Sequence, residues 1–230
     1  MKKLFFRLSI GLFFLLGLIS VFGYFRIYQP FLQAKALTAK GQLDAQELVT
    51  AIKNSDLGLA KAKISVLDSD LDQVRDLLSG FSWMQSLPLA KNYYADANSV
   101  IIAADELLSA GIISIDAITP YADLLGLKGV DAGTLAGKTA QDRINFLVKT
   151  IELLDPQMDE ISQAVDKAKI ELDKIDPNRY PQHFQGKPIR GSLVQGISMI
   201  DQAASLLSDA RPFLQSAPYM LGWINPENIC

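Results

Sequence analysis

The feature that most constrains this chain is an uninterrupted apolar run between two arginines. Between Arg7 and Arg26, the residues Leu8 to Phe25 carry no charge, and Ser9 and Ser20 are their only aliphatic hydroxyls. As a helix, eighteen residues at about 1.5 Å each reach roughly 27 Å, close to the hydrocarbon thickness of a bilayer. No face of the run is polar, which argues against an ordinary core helix. Lys2 and Lys3 ahead of it favour a cytoplasmic N-terminus and export of the downstream chain, and Tyr24 and Tyr28 stand where interfacial aromatics belong. The rival reading is a signal peptide cleaved after Gly23, for which Val21-Phe22-Gly23 is a poor site. The sequence thus divides into a tip and signal-anchor over 1–28, with its lipid contact from Leu8 to Phe25, and an extracytoplasmic region over 29–230.

Charge is distributed accordingly. Lys2, Lys3, Arg7 and Arg26 flank the run, leaving 18 basic residues against 25 acidic ones beyond it, a net charge of −7. An acidic domain without a clustered basic face is a poor partner for nucleic acid. The single cysteine, Cys230, is the last residue, so neither an internal disulfide nor a cysteine metal cluster is available. The ending Pro226-Glu227-Asn228-Ile229-Cys230 carries no polar tail, and the chain is expected to continue past it.

The spacing of apolar residues predicts an all-α fold: an elongated antiparallel bundle resembling a coiled-coil rod. A first helix is expected to about Lys53, with Gly41 a candidate interruption because Asp44 and Glu47 follow it at capping-box spacing. Asn54-Ser55-Asp56 reads as a turn and cap. Leu57, Ala60, Ile64, Leu67, Leu71, Val74 and Leu78 then alternate at steps of three and four, a heptad seam. A loop with Trp83 and Pro88 leads to a third helix from about Leu89 to Ile118. Its face is read as Tyr93, Ala97, Val100, Ala104, Leu107 and Gly111, widened by Ile101, Leu108 and Ile115.

After a loop over 126–139, a seam from Ile144 through Leu147, Ile151, Leu154, Met158, Ile161, Val165, Ala168 and Leu172 to Ile175 passes Pro156 without losing phase. A kink or tight restart is expected there. The last helix, from about Ile189 to Ala217, sets large Leu193, Ile200, Leu207 and Leu214 against small Gly196, Ala203, Ala210 and Ala217, which predicts close helix contacts, with a bend at Pro212. No strand pattern competes.

Several fragments imitate chemical sites. Gly133-Thr134-Leu135-Ala136-Gly137-Lys138-Thr139 is one residue short of a phosphate loop and lacks a preceding strand. Asp68, Asp70 and Asp72 have the first spacings of a calcium loop, but Gln73 and Ser79 occupy its glycine and glutamate positions, and a solvated helix face is the better reading. Ser192 lacks the second glycine of a nucleophile elbow. His183 is the only histidine, which removes the material for histidine-based triads and zinc sites. No catalytic, cofactor or metal residue is assigned. The stretch from Asp176 to Gly191 is the one long Pro-rich, aromatic loop, either a cap packed over the bundle's end or a contact for a ligand or partner. Its candidates are Arg179, Tyr180, His183, Phe184, Lys187 and Arg190.

The anchor, the Asn54-Ser55-Asp56-Leu57 helix start, Trp83 before Leu87-Pro88-Leu89, Asp176-Pro177-Asn178-Arg179-Tyr180-Pro181 with Gly186-Lys187, and Ala217-Pro218-Tyr219-Met220-Leu221-Gly222 together resemble a bacterial membrane-anchored family. That family is called domain of unknown function 4012. The resemblance spans most of the chain and implies a single-pass envelope protein, in which a second, strand-rich domain follows the helical region. It supplies no activity and no catalytic residue. The expected function is a non-enzymatic stalk or interaction module, with a possible homo-oligomer or envelope partner along the helix seams. The alternative is an extracytoplasmic four-helix ligand sensor of chemoreceptor type, which would need a second membrane span, and no later run approaches that length.

Overall fold

The computed structural model describes residues 17–18, 20–119, 122 and 157–220, with side chains described to Asp209 and at Pro212. The chain is predominantly helical. A helix beginning before Tyr24 passes through a π-turn at Tyr24–Tyr28 into α1, Gln29–Lys53. α2 follows at Leu57–Ser79, then a 3-10 turn at Ser82–Ser86, and α3 at Lys91–Ile118. α4 occupies 157–172 and α5 runs over Ile189–Met220. The loop at 126–139 with its phosphate-loop imitation, the seam from Ile144 to Leu154, Pro156, Cys230, and the side chains of Leu214 and Ala217 lie outside the described residues. So does most of the apolar run, which is described only at 17–18 and from 20 onward. Among the described residues, no helix is long and apolar enough to cross a membrane.

The turn between α1 and α2 explains their antiparallel pairing. Ser55 adopts φ 57°, and the Ser55 and Asp56 N–H groups donate back to the Ile52 and Ala51 carbonyls at 3.0 and 2.9 Å, a Schellman closure. The Asp56 carboxylate then accepts from the Leu59 N–H at 2.9 Å, capping α2. Every α2 seam position is buried or half-buried. The α1 residues facing it are Ala34, Leu37, Gly41, Asp44, Leu48 and Ala51. Gly41 thus lies inside one continuous helix, where an added Cβ would meet nothing within 4 Å, and the capping box expected after it does not form. The Asp44 side chain is nearly buried and turns instead to Lys63 of α2, at 3.0 Å.

α3 is the middle of the bundle. On one side, Leu108, Ile112 and Ile115 pack with Ala51, Ala60 and Ile64 of the first two helices. On the other, Leu107, Ala110 and Ile113 pack with Met158, Ile161, Ala164 and Val165 of α4 and with Ile200, Ala203, Ala204 and Leu207 of α5. Being covered twice, α3 turns inward most of the expected face, including Ile101, Leu107, Leu108, Gly111 and Ile115, together with a further stripe beside it. Asp96, Ala103, Ala110 and Ala117, seven apart, are buried, whereas Val100 and Tyr93 are exposed. The large residues that mark the expected face flank this narrow strip of small ones, where neighbouring backbones approach.

Most of the fully buried apolar residues described are alanines, and the larger side chains lie half-buried beside them. Close approach is found at Gly111, where an added Cβ would stand 3.0 Å from Ile64 Cδ1. It is not found at Gly196, which is exposed and faces open space, because α5 turns Leu193, Ile200 and Leu207 inward instead. α5 also continues through Pro212 to Met220.

Two further expectations are corrected. A minimal antiparallel hairpin interrupts the helices, with β1 at His183–Phe184 paired to β2 at Lys187–Pro188. Its turn residues Gln185 and Gly186 have φ of 50° and 77°, and two successive positive values let a two-residue turn join so short a ladder. Asp70 is not on a solvated face. It is buried against α1, where the Lys40 ammonium donates to Oδ1 at 2.5 Å, while Oδ2 has no partner.

Candidate functional site

The densest polar cluster outside the helix-to-helix pairs lies where α3 begins. Asp96, in the second turn of α3, has a side chain only 6% exposed. A carboxylate so placed has to be compensated, because an unpaired buried charge is costly. The compensation comes from 3-10 turn residues 177–179 and the residue after them. The Arg179 guanidinium pairs with Asp96 Oδ2, and the Tyr180 hydroxyl donates to the same oxygen at 2.9 Å. The turn is itself ordered by Asp176, whose Oδ1 accepts from the Asn178 N–H at 2.9 Å.

Tyr93, one turn before Asp96, donates its hydroxyl to the Arg179 carbonyl at 3.2 Å and meets the Tyr180 ring edge-on, with centroids 5.5 Å apart. From the first turn of α5, Arg190 Nε donates to the Tyr180 carbonyl at 2.9 Å, and its Nη2 reaches the carbonyls of Tyr180 and Asn178 at 2.6 and 3.1 Å.

The electrostatics derive from these contacts. The hydrogen bond to Asp96 raises the Arg179 pKa above its ordinary value, against an opposing contribution from burial. Burial raises the Tyr180 phenol well above its usual range, and the Asp96 carboxylate pushes it the same way. Tyr180 is therefore a neutral hydrogen-bond donor, not a nucleophile or base. One turn further along α3, Ser99 donates to Glu171 of α4 at 3.0 Å. The Glu171 carboxyl is held below its usual range chiefly by Lys174.

A cavity of about 480 Å³ adjoins this cluster, lined by Tyr93, Asp96, Val100, Ile175, Tyr180 and Leu193 among others. Its hydroxyls are already engaged: Tyr93 with Arg179, Tyr180 with Asp96, and Ser192 with the Pro188 carbonyl at 2.6 Å. Its offer to a guest is mostly apolar wall.

The six loop candidates therefore separate. Arg179, Tyr180 and Arg190 are joined into one network that pins the loop to α3 and α5. His183, Phe184 and Lys187 stand exposed on the hairpin beside that network. Sequence reading missed Asp96 and Tyr93. The available cue was that Asp96 occupies the same heptad phase as Ala103, Ala110 and Ala117, an acid in a stripe of small residues.

The calcium-like triad also comes apart. Asp68 lines a groove between α2 and α3, Asp70 pairs with Lys40, and Asp72 pairs with Arg75 on the surface. Among the described residues, no group of His, Cys, Asp or Glu is placed to hold a metal ion. No family model, curated protein or solved structure matches this chain.

Proposed function

We propose that this is a non-enzymatic, single-pass membrane-anchored protein of the cell envelope, whose helical bundle serves as a stalk or interaction module outside the membrane. One observation carries the reading. From Ser20 onward, helix continues through the π-turn into α1 without a break. Its leading part exposes Val21, Phe22, Phe25, Ile27, Tyr28, Phe31 and Leu32. The groove shared with the end of α2 begins at Gln33, Ala36 and Leu37. The end of the apolar run is thus helically continuous with α1, and its described residues stand exposed beside the bundle. Exposed apolar surface of this extent calls for a covering phase, and eighteen uncharged residues fit a bilayer. The resemblance to the family called domain of unknown function 4012 supports the same placement, with the N-terminus cytoplasmic and the bundle extracytoplasmic.

The test is fractionation of the full-length chain. It is expected in the membrane fraction, resistant to alkaline carbonate, with the bundle protected from protease added on the cytoplasmic side. Leu12→Arg together with Leu15→Arg should release it. Recovery of the intact, uncleaved chain in the soluble fraction would overturn the reading.

The cavity beside Asp96 favours one second reading, an extracytoplasmic sensor in which a small apolar molecule moves α5 against α3. Saturable binding at that cavity, lost on Val100→Trp, would support it over a passive stalk. The internal satisfaction of the cavity's hydroxyls is why the stalk reading stands first.

A further inference from the structure

The antiparallel order of the helices places three segments at one end of the molecule. Lys40 pairs with Asp70, and Gln33, Ala36 and Leu37 share a groove with Gln73, Asp76 and Leu77. On that register, the last turn of α2 lies level with the start of α1, so the connection at 80–90 leaves the bundle where the apolar helix enters it. α3 starts from the same end, and through Asp96 and Tyr93 it holds the 176–191 loop there.

This end has a composition unlike the rest of the bundle. Leu89 is 89% exposed, the most exposed large apolar side chain described, and Phe184 at 56%, Leu87 and Trp83 are exposed on the same segments. The segments 80–93 and 176–191 hold four basic residues, Lys91, Arg179, Lys187 and Arg190, against the acid Asp176 and against Asp96, which pairs with Arg179, a balance of two positive charges. They form a basic tip on a region whose net charge is negative. Lys91 and Lys187 are exposed, and neither belongs to the Asp96 network.

Resting on the membrane-anchored reading above, we propose that this end of the bundle lies on the bilayer surface. Trp83, Leu89 and Phe184 enter the headgroup region, and Lys91 and Lys187 stand beside anionic headgroups. The occupant follows from continuity: the same end carries the apolar helix, with Tyr24 and Tyr28 at its exit. Tryptophan and tyrosine favour that interface, and lysines near it gain from anionic lipid. The Asp96 network then has a mechanical purpose, since it fixes the hairpin's height against α3.

The test uses full-length protein in phosphatidylcholine and phosphatidylglycerol vesicles, with Trp223→Phe leaving Trp83 as the sole tryptophan. A second reporter is a fluorophore on Leu89→Cys in a Cys230→Ser background, at a position exposed enough to tolerate it. Replacing the phosphatidylcholine by its brominated form should quench both reporters, and Lys91→Glu with Lys187→Glu should reduce the quenching. Protein that floats with the vesicles while both reporters keep their emission overturns this inference and leaves the anchor intact. Protein that does not float overturns the anchor and this inference with it.

Discussion

Asp96 places a charge in the strip where α3 meets its neighbours, and the 176–191 loop answers it with Arg179 and Tyr180. Arg179→Met should lower the melting temperature markedly by stranding that carboxylate, and adding Asp96→Leu should recover much of the loss. If the double variant is no more stable than Arg179→Met, the pair does not hold the loop. Tyr180 gives a pH signature. Its phenol keeps its proton when folded, at pH values where the unfolded chain releases it, so the folded state binds more protons and stability falls as pH rises above about 10. Tyr180→Phe should flatten that part of the urea-denaturation stability profile relative to the parent. The sequence singled out Arg179, Tyr180 and Arg190 because a long aromatic, Pro-rich loop is unusual. The Arg179 partner Asp96 went unnamed, since it lies some eighty residues away, meets Arg179 only through the pairing of α3 with α4, and is marked in the sequence only as an acid in a stripe of alanines.

At the scale of the helix, heptad phase was legible on α2 and α4, although each packs against two neighbours, α1 and α3 for α2 and α3 and α5 for α4. The seam of α2 and the described half of the α4 seam both face inward. On α3 it held in part: Ile101, Leu107, Leu108, Gly111 and Ile115 are buried or half-buried as expected, Tyr93 and Val100 are exposed, and the Asp96-Ala103-Ala110-Ala117 stripe is buried beside them. Periodicity weighted by side-chain size cannot find such a stripe. The pattern makes a paired prediction for chemical denaturation. Ile161→Asp buries an unpaired charge between α3, α4 and α5 and should cost roughly 4 kcal/mol. Val100→Asp, at a position that spacing alone puts in the core, should cost under about 1 kcal/mol because that residue is exposed. Equal costs would mean that the α3 face is wrongly placed. Overpacking probes the alanine contacts directly: Ala110→Leu should destabilise by about 1–3 kcal/mol, and a neutral result would mean that the helices do not approach there as closely as described.

Across the molecule, ion pairs tie each helix to the next. Lys40 and Lys63 join α2 to α1, Arg75 joins it to α3 through Asp105 at 3.3 Å, Lys167 joins α4 to Glu106 of α3 at 3.4 Å, and Lys169 joins it to Asp201 of α5. Most of these are partly exposed and individually weak. Their contribution is to register, fixing which turn meets which between helices whose alanine faces would tolerate sliding. The helical class and the antiparallel order were readable from spacing and from one turn motif, Asn54-Ser55-Asp56. The small hairpin was not, because two-residue strands leave no alternating pattern and Gln185-Gly186 is an uncommon turn pair.

The central claim is that the apolar N-terminal helix and α1 are one piece. Spin labels on Phe22→Cys and Ile52→Cys, both exposed, in a Cys230→Ser background test it in membranes by pulsed dipolar spectroscopy. Thirty residues of continuous helix predict one narrow distance near 45 Å, at about 1.5 Å per residue. A broad distribution, or a distance below about 35 Å where helical rise no longer accounts for the separation, would contradict it.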